Sequence, residues 1–392
     1  MRKVKVASPQ INQDDIDAVT AALWSGRLVS GPRVAAFEAE FADYVGARYA
    51  VALNSGTAAL HASLAALGVK PGDEVIVPAL TFFASVAAVI HQGGVPVFCD
   101  ISPDNFCLDP ADLARCITPR SRAVMPVHFY GHCAEMDAIL EIAEADGLAV
   151  VEDCAQAHGS MYHGKMVGSL GDCNAFSLFA TKHMTTCEGG MATTDSADLA
   201  AYIRQFRSHG LAGRNDHEML GYNYRMAEPF GALGSSQLRR LDALNTARIE
   251  KSERLIAMIS DIPWLAVPAV PNHVKHTYFW CHVRIDEARL GMTTAALISA
   301  LGDSGVEVRH RYVEPLYRQP LLTTHLPDIL KLVAGPNLPD YGNLFLPNVE
   351  AIAGRIIGLP NRPDMEDDEI DYVSDVLHRL SPSRSETTAA PR

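Results

Sequence analysis

Residues Ser177–Thr194 read SLFATKHMTTCEGGMATT. The run NAFSLF has the apolar and aromatic character of a buried strand, and it delivers first Ser177 and then Lys182, the single lysine of the stretch. Lys182 sits between Thr181 and His183, ahead of Glu188-Gly189-Gly190. A lysine just beyond a strand end is either a solvated charge or a reactive group. The sequence on both sides bears on which.

From about residue 33 to 245, strand-like and helical segments alternate. VAAFEAEFADYVG has apolar residues at helical spacing and a glycine stop. YAVALNS, EVIVPAL, PVFCD, AVMPVHF and LAVVEDC read as short apolar strands, with helices expected over GTAALHASLAALG and FASVAAVIHQGG. Strands hidden on both faces lose polar alternation, so the pattern predicts an α/β fold with a mostly parallel sheet between helices. Near residue 245 the pattern changes. LRRLDALNTARIEKSERLIAMI reads as one long helix, followed by a strand (HTYFWCHVRI), a helix (TTAALISALGDSG), a strand (VEVRHR) and a final helix (EDDEIDYVSDVLHRL). The expected organisation is a large cofactor-binding domain over 1–245, a smaller α+β C-terminal domain over 246–380, and a disordered tail over 381–392. The stretch from Pro320 to Pro347 has no clear period and predicts a long loop with short helices.

Composition narrows the function classes. The chain has 392 residues, 48% of them hydrophobic, and a formal net charge of −13. A nucleic-acid surface needs clustered basic residues, so nucleic acid is not an expected partner. No apolar run is long enough to span a bilayer, and MRKVKVASPQINQDD lacks the apolar core of a signal peptide. The 8 cysteines are scattered with no CxxC pair, which predicts reduced thiols, no metal site and a cytoplasmic protein.

Three chemically loaded pieces fall at predicted strand ends, where open parallel sheets bind ligands. Asn54-Ser55-Gly56-Thr57 joins a strand to a helix start, where glycine admits an anion to the first-turn N–H groups. The same residues also read as an ordinary cap. VVEDCAQAHG ends a strand with Glu152-Asp153, and a buried aspartate is what keeps a pyridine nitrogen protonated. Ser177 and Lys182 follow after one return segment, YHGKMVGSLGD. A lysine that forms a covalent link to a carbonyl must lose its proton, which partial desolvation favours. An anion cradle, an aspartate and a lysine at strand ends are the parts for pyridoxal 5′-phosphate.

The chain resembles the DegT/DnrJ/EryC1/StrS family of sugar aminotransferases, fold-type I pyridoxal phosphate enzymes. The resemblance is carried by SGRLVSGPRVAAFEAEFA, NSGTAALHASLAALGVKPGDEVIVPALTF, MPVHFYG, VEDCAQAHGS, GSLGD, FSLFATKHMTTCEGGMATT and GYNYRMAEPFGALGSSQLRRLD, with an echo in LPNRPDMEDDEIDYV. It implies that Lys182 holds the cofactor covalently and that Asp153 partners the pyridine nitrogen. By the same resemblance, Gln156 lies near the phenolic oxygen, Gly56, Thr57 and Ser177 cradle the phosphate, and Phe82 stacks on the ring. Asn223 in GYNYRM matches a phosphate contact from the neighbouring subunit, which implies a homodimer with shared active sites. Phe82 also reads as plain core, and His128 and His158 read as structural histidines. Cys187 stands where the family's TTGEGG has a glycine, a change that either alters only the turn or brings a thiol near the cofactor.

The family's reaction moves an amino group from an amino acid, glutamate by resemblance, to a keto sugar, most often nucleotide-linked. Relatives that remove a sugar hydroxyl carry histidine in place of the lysine, so Lys182 favours transamination. A cyclitol or other ketone acceptor, or a non-catalytic protein on the same fold, stays open. Arg309, His310, Arg311 and Tyr312 cluster in RHRYVEPLYRQP and suit a nucleotide diphosphate, though they read equally as a solvated strand end.

Overall fold

In the computed structural model, which describes residues 2–213 and 215–381, the strands before residue 200 build one seven-stranded sheet among the described residues. They are β1 (Tyr49–Leu53), β2 (Glu74–Pro78), β3 (Val95–Cys99), β4 (Ser121–Val124) and β5 (Ala149–Asp153). After a hairpin of β6 (Met161–Tyr162) and β7 (Lys165–Met166) come β8 (Cys173–Ser177) and β9 (Gly190–Thr194). The order across the sheet is β1-β9-β8-β5-β4-β2-β3. β2 lies parallel to β3 and β4, β4 to β5, and β5 to β8. β9 runs antiparallel to both β8 and β1, because the chain turns back through Lys182 without a crossover helix. The architecture is the α/β one that the alternation of segments implies.

Helices cover both faces, and their ends follow local chemistry. The helix Pro32–Val45 has proline in its first turn and stops at Gly46, whose φ is +82. The helix Gly56–Ala66 starts where β1 ends, with Ser55 Oγ accepting from Ala58 N at 3.1 Å. Phe37, Phe41, Leu60, Ile76, Val151 and Phe176 are among the residues of the core around this sheet. Leu316, Tyr317 and Val349, from much later in the chain, pack into the same core.

A second core surrounds a three-stranded sheet of β10 (Leu265–Ala266) and, past β11 (Val274–Lys275), β12 (Cys281–Ile285) and β13 (Ile356–Leu359). β11 pairs instead with β6. Trp264, Val283, Leu301, Ile357 and Val373 lie in this core, together with Val4 from the start of the chain.

Three local expectations are corrected. The helix expected over LRRLDALNTARIEKSERLIAMI starts only at Leu241, after a separate helix, Glu228–Leu238, has ended. The break falls where Gln237 and Arg240 both reach Asp15 Oδ2, at 2.6 and 2.5 Å, and fasten this corner to the first helix of the chain. VEVRHR forms no regular strand: it makes single bridges from Val306 to Val4 and from Arg309 to Gly358. HTYFWCHVRI is a strand only from Cys281: Tyr278 has φ +47, and the residues on either side of it, Thr277 and Phe279, donate their N–H groups to Gly131 O (3.3 Å) and Tyr130 O (2.7 Å). Apart from Ser381, the tail expected over 381–392 lies outside the described residues.

Candidate active site

The turn that carries Lys182 is closed by backbone hydrogen bonds. Lys182 N donates to Phe179 O (3.0 Å), Leu178 N to Gly189 O (2.9 Å) and Thr186 N to Leu178 O (2.9 Å). The Lys182 ammonium stands 4.7 Å from the centroid of the Phe279 ring. Burial, helped by the charge of Arg311, lowers the pKa of this amine to about 8, although the Asp153 carboxylate pulls the other way. The free base is therefore accessible near neutral pH.

Asp153 closes β5 and is buried. Its Oδ2 accepts from Ser85 Oγ (2.8 Å) and its Oδ1 from Ala155 N (3.1 Å). Burial pushes this carboxyl up, against the two hydrogen bonds and the charge of Lys182. A cationic ring nitrogen beside Asp153 would relieve that cost. Period-two alternation sends the preceding residue, Glu152, to the opposite side. There it accepts from His128 Nε2 (2.8 Å), Gly168 N (2.9 Å), Leu170 N (2.7 Å) and Gly171 N (2.8 Å), tying the GSLGD loop to β5. His158 is also buried, and desolvation holds it neutral with its pKa pushed down to about 3.

One recess is lined by Ser55, Gly56, Thr57, Asp153, Ser177 and Lys182. A side chain on Gly56 would place its Cβ 2.8 Å from Ser177 Cβ, so glycine is what lets the end of β8 approach the helix start. The first-turn amides of Gly56 and Thr57 and the helix dipole would favour an anion here, with the Ser177 hydroxyl beside them. The donor set fits pyridoxal phosphate: an anion seat at one end, a carboxylate at the other, and an amine between. Gln156 is buried, with Oε1 accepting from Tyr130 N (3.0 Å) and Nε2 donating to the Tyr312 hydroxyl (3.0 Å).

A second recess opens from Lys182 and is lined by Phe82, Phe279, Trp280, Arg309, Arg311 and Tyr312, among others. Phe82 is 53% exposed, which removes the plain-core reading. Of the four clustered residues, His310 turns away and meets Gly354 O through Nε2 (3.0 Å). Asn223 is exposed and is not among the residues that line these recesses; its carbonyl accepts from Asn54 Nδ2 (3.2 Å). Ser85, Phe279, Trp280 and Arg248 are cleft or support residues that the sequence reading missed. Ser85 carries no local signal. Arg248 carries one: it is a charged residue on the buried stripe of the helix Leu241–Ile259.

Cys187 is exposed and has φ +68, with its N–H donating to Thr185 Oγ1 (2.9 Å). A left-handed residue with a Cβ is strained by about 1–2 kcal/mol, and glycine's extra freedom in the unfolded chain offsets roughly 0.5–1 of that. Cys187→Gly is therefore expected to stabilise the protein by about 0.5–1 kcal/mol. Denaturant unfolding checks this; an unchanged or lower midpoint would count against strain at this turn.

A sequence profile describing the DegT/DnrJ/EryC1/StrS aminotransferase family matches residues 9–378. Among curated relatives, the chain is 38% identical over 389 residues to the spore coat polysaccharide biosynthesis protein SpsC of Bacillus subtilis, covering 95% of each chain. It is 38% identical over 361 residues to the GDP-perosamine synthase of Caulobacter vibrioides, covering 89% of this chain and 96% of that one. Among solved structures, DesV of S. venezuelae superposes with a TM-score of 0.84 at 34% identity, covering 93% of both chains.

Proposed function

The chain belongs to the DegT/DnrJ/EryC1/StrS aminotransferase family and is a pyridoxal phosphate-dependent aminotransferase of the kind that acts on sugars, and from that premise we propose the reaction. It moves an amino group from an amino acid, glutamate, to a keto sugar carried on a nucleotide. The observation that carries this reading is the meeting of the Gly56 recess and the Arg309–Arg311 recess at Lys182. Paired guanidinium groups match the geometry and charge of a diphosphate. The printed name of the Caulobacter relative, a GDP-perosamine synthase, points the same way.

Pyridoxal phosphate, when bound, supplies the electron sink for breaking a C–H bond next to nitrogen. In this reading Lys182 holds the cofactor and then moves the proton, using an amine whose pKa burial has lowered to about 8. Asp153, fixed by Ser85 and Ala155, holds the proton on the ring nitrogen. Gly56, Thr57 and Ser177 seat the phosphate, Phe82 covers the ring face, and Gln156, held by Tyr130 and Tyr312, stands near the ring oxygen. Arg309, Arg311 and Tyr312 bind the acceptor.

Asn223 is proposed to serve the partner's site in a homodimer, which suits its exposure; a fully active monomer in sedimentation would overturn this. Among the described residues no helix is long and apolar enough to cross a membrane. We place the enzyme in the cytoplasm, where its eight free thiols would stay reduced; recovery from an oxidising compartment would refute it.

The test is a screen of acceptors. Enzyme first aminated with L-glutamate is offered nucleotide-linked keto sugars, free keto sugars and keto cyclitols. Turnover is expected with a nucleotide-linked sugar at least about a hundredfold above the others, because a seat built for charged oxygens is left unpaired by a neutral acceptor. Preference for a cyclitol would replace this reading with the other, and a purified protein with no visible cofactor band would remove catalysis altogether.

A further inference from the structure

β3 stands at one edge of the seven-stranded sheet and ends on a thiol, Cys99. The helix Pro110–Cys116, which follows it in the chain, ends on another, Cys116. On that helix Asp112 is four residues before Cys116, a spacing that puts both side chains on one face. The fold lays this face against the end of β3. One ligating atom from each of Cys99, Asp112 and Cys116 lies within 4.8 Å of the other two, and Cys116 Sγ is 3.7 Å from Asp112 Oδ2. Cys99 is buried, while Cys116 and Asp112 are half-buried, so the site has a wall in the core and a side toward solvent.

The thiols have weak partners: Cys116 meets Phe98 O (3.6 Å) and Cys99 meets Asp109 O (3.6 Å). The surrounding charge is mostly negative. Asp100 follows Cys99 and Asp109 caps the helix, and against these and Asp112 stands Arg115, 3.5 Å from Asp112 Oδ1 and 77% exposed. A tetrahedral ion with bonds of about 2.3 Å to sulfur and about 2.0 Å to oxygen needs about 3.5 Å between a sulfur and an oxygen ligand and about 3.8 Å between two sulfurs. The Cys116–Asp112 separation is close to the first of these. Two soft thiolates with one hard carboxylate suit a borderline cation, whereas calcium or magnesium would want oxygen throughout. The other such grouping among the described residues, His128 with Glu152 and Cys154, is fully buried, and its carboxylate is already taken by three backbone N–H groups and the histidine.

We infer that Cys99, Asp112 and Cys116 bind a zinc ion, with water in the fourth position on the half-buried side. Binding sends the two thiol protons to solvent. Spacing along the chain predicts no metal site because the two thiols belong to different elements and meet only across the fold. None of the three ligands lines the recesses at Lys182, so the ion acts on stability and not on amino transfer. Asp112 Oδ2 also accepts from Asp100 N (2.8 Å), which orients the carboxylate. Asp100 in turn accepts from Asn348 N and Val349 N (both 2.9 Å) at the start of the helix Pro347–Ile352. Zinc would thus fasten the edge strand, the helix after it and the point where the segment from Pro320 to Pro347 returns to the core.

The experiment uses cofactor-loaded enzyme, kept reduced and freed of metal by dialysis against a chelator. Titration with Zn²⁺ against a chelating dye is expected to find one site per chain. Co²⁺ in its place should give the intense visible bands of a tetrahedral thiolate site. Cys116→Ala should weaken zinc binding by about a hundredfold or more, since even the loss of an outer-shell partner costs roughly 10–100-fold. Asp112→Asn should weaken it by about tenfold or more, and Cys187→Ser, which removes an exposed thiol elsewhere, should leave it unchanged. The urea midpoint of the wild type should rise with free zinc, and that of Cys116→Ala should not. If Cys116→Ala fails to fold, Asp112→Asn is read by the same measurements. A wild type that takes up no zinc, zinc binding that survives in Cys116→Ala as an adventitious ion only, or a site lost in Cys187→Ser overturns the inference.

Discussion

Lys182→Ala is expected to fold, to bind pyridoxal phosphate without a covalent link, and to transfer amino groups about 10⁴-fold more slowly than the wild type. The size follows from removing a positioned proton-transfer group, worth up to about 10⁴ in rate, or near 5.5 kcal/mol of barrier. Folding should survive because the turn is closed by the backbone bonds of Leu178, Phe179, Thr186 and Gly189, none of which uses the lysine side chain. Burial and the charge of Arg311 together outweigh the attraction of the Lys182 cation to Asp153, so the apo protein loses little by giving up the side chain. Borohydride reduction of the loaded wild-type enzyme, followed by peptide mapping, should find the pyridoxyl mass on Lys182. Finding it on Lys165, or a variant within tenfold of the wild-type rate, would take Lys182 out of this role.

Asp153→Asn is expected to cost about a thousandfold in rate, near 4 kcal/mol, with little change in melting temperature. The asparagine oxygen can keep the bond from Ala155 N, and its NH₂ can donate to the Ser85 hydroxyl, which only needs to rotate. The site thus keeps its shape and hydrogen bonds but loses the negative charge. Under the proposed reading, the ring nitrogen would then lose the buried carboxylate that holds its proton, and the electron sink would weaken. Steady-state rates together with a thermal melt separate the two effects. Near wild-type turnover would reduce Asp153 to a strand-end cap, and a large fall in melting temperature would mean that its structural role dominates.

The alternation of apolar strands with helices, the glycine stop at Gly46 and the helix start at Ser55 were all legible along the chain, because strand and helix periods and end caps are set within a few residues. So was the placing of Gly56, Asp153 and Lys182 at or just past strand ends. Parallel order then carries such residues to one edge of a sheet, and the recess where they meet follows from topology. What the sequence left open depended on partners far away in the chain. The long segment from Leu238 to Ile259 is uninterrupted in its pattern, yet it breaks because Gln237 and Arg240 are drawn to Asp15. VEVRHR has the alternation of a strand but finds only single-residue bridges, since pairing is decided by the neighbour and not by the segment. His310 and Arg311 are adjacent in sequence, and only the tertiary structure turns one toward Gly354 and the other into the cleft. Arg248 is the sharpest case. Its position on a buried stripe is local information, but its lack of an ion pair among the described residues and the presence of Lys182 across a small recess arise only when the helix is packed. Periodicity is a property of the backbone, and it survives in one dimension. Charge compensation is a property of space, and it exists only once the chain has folded.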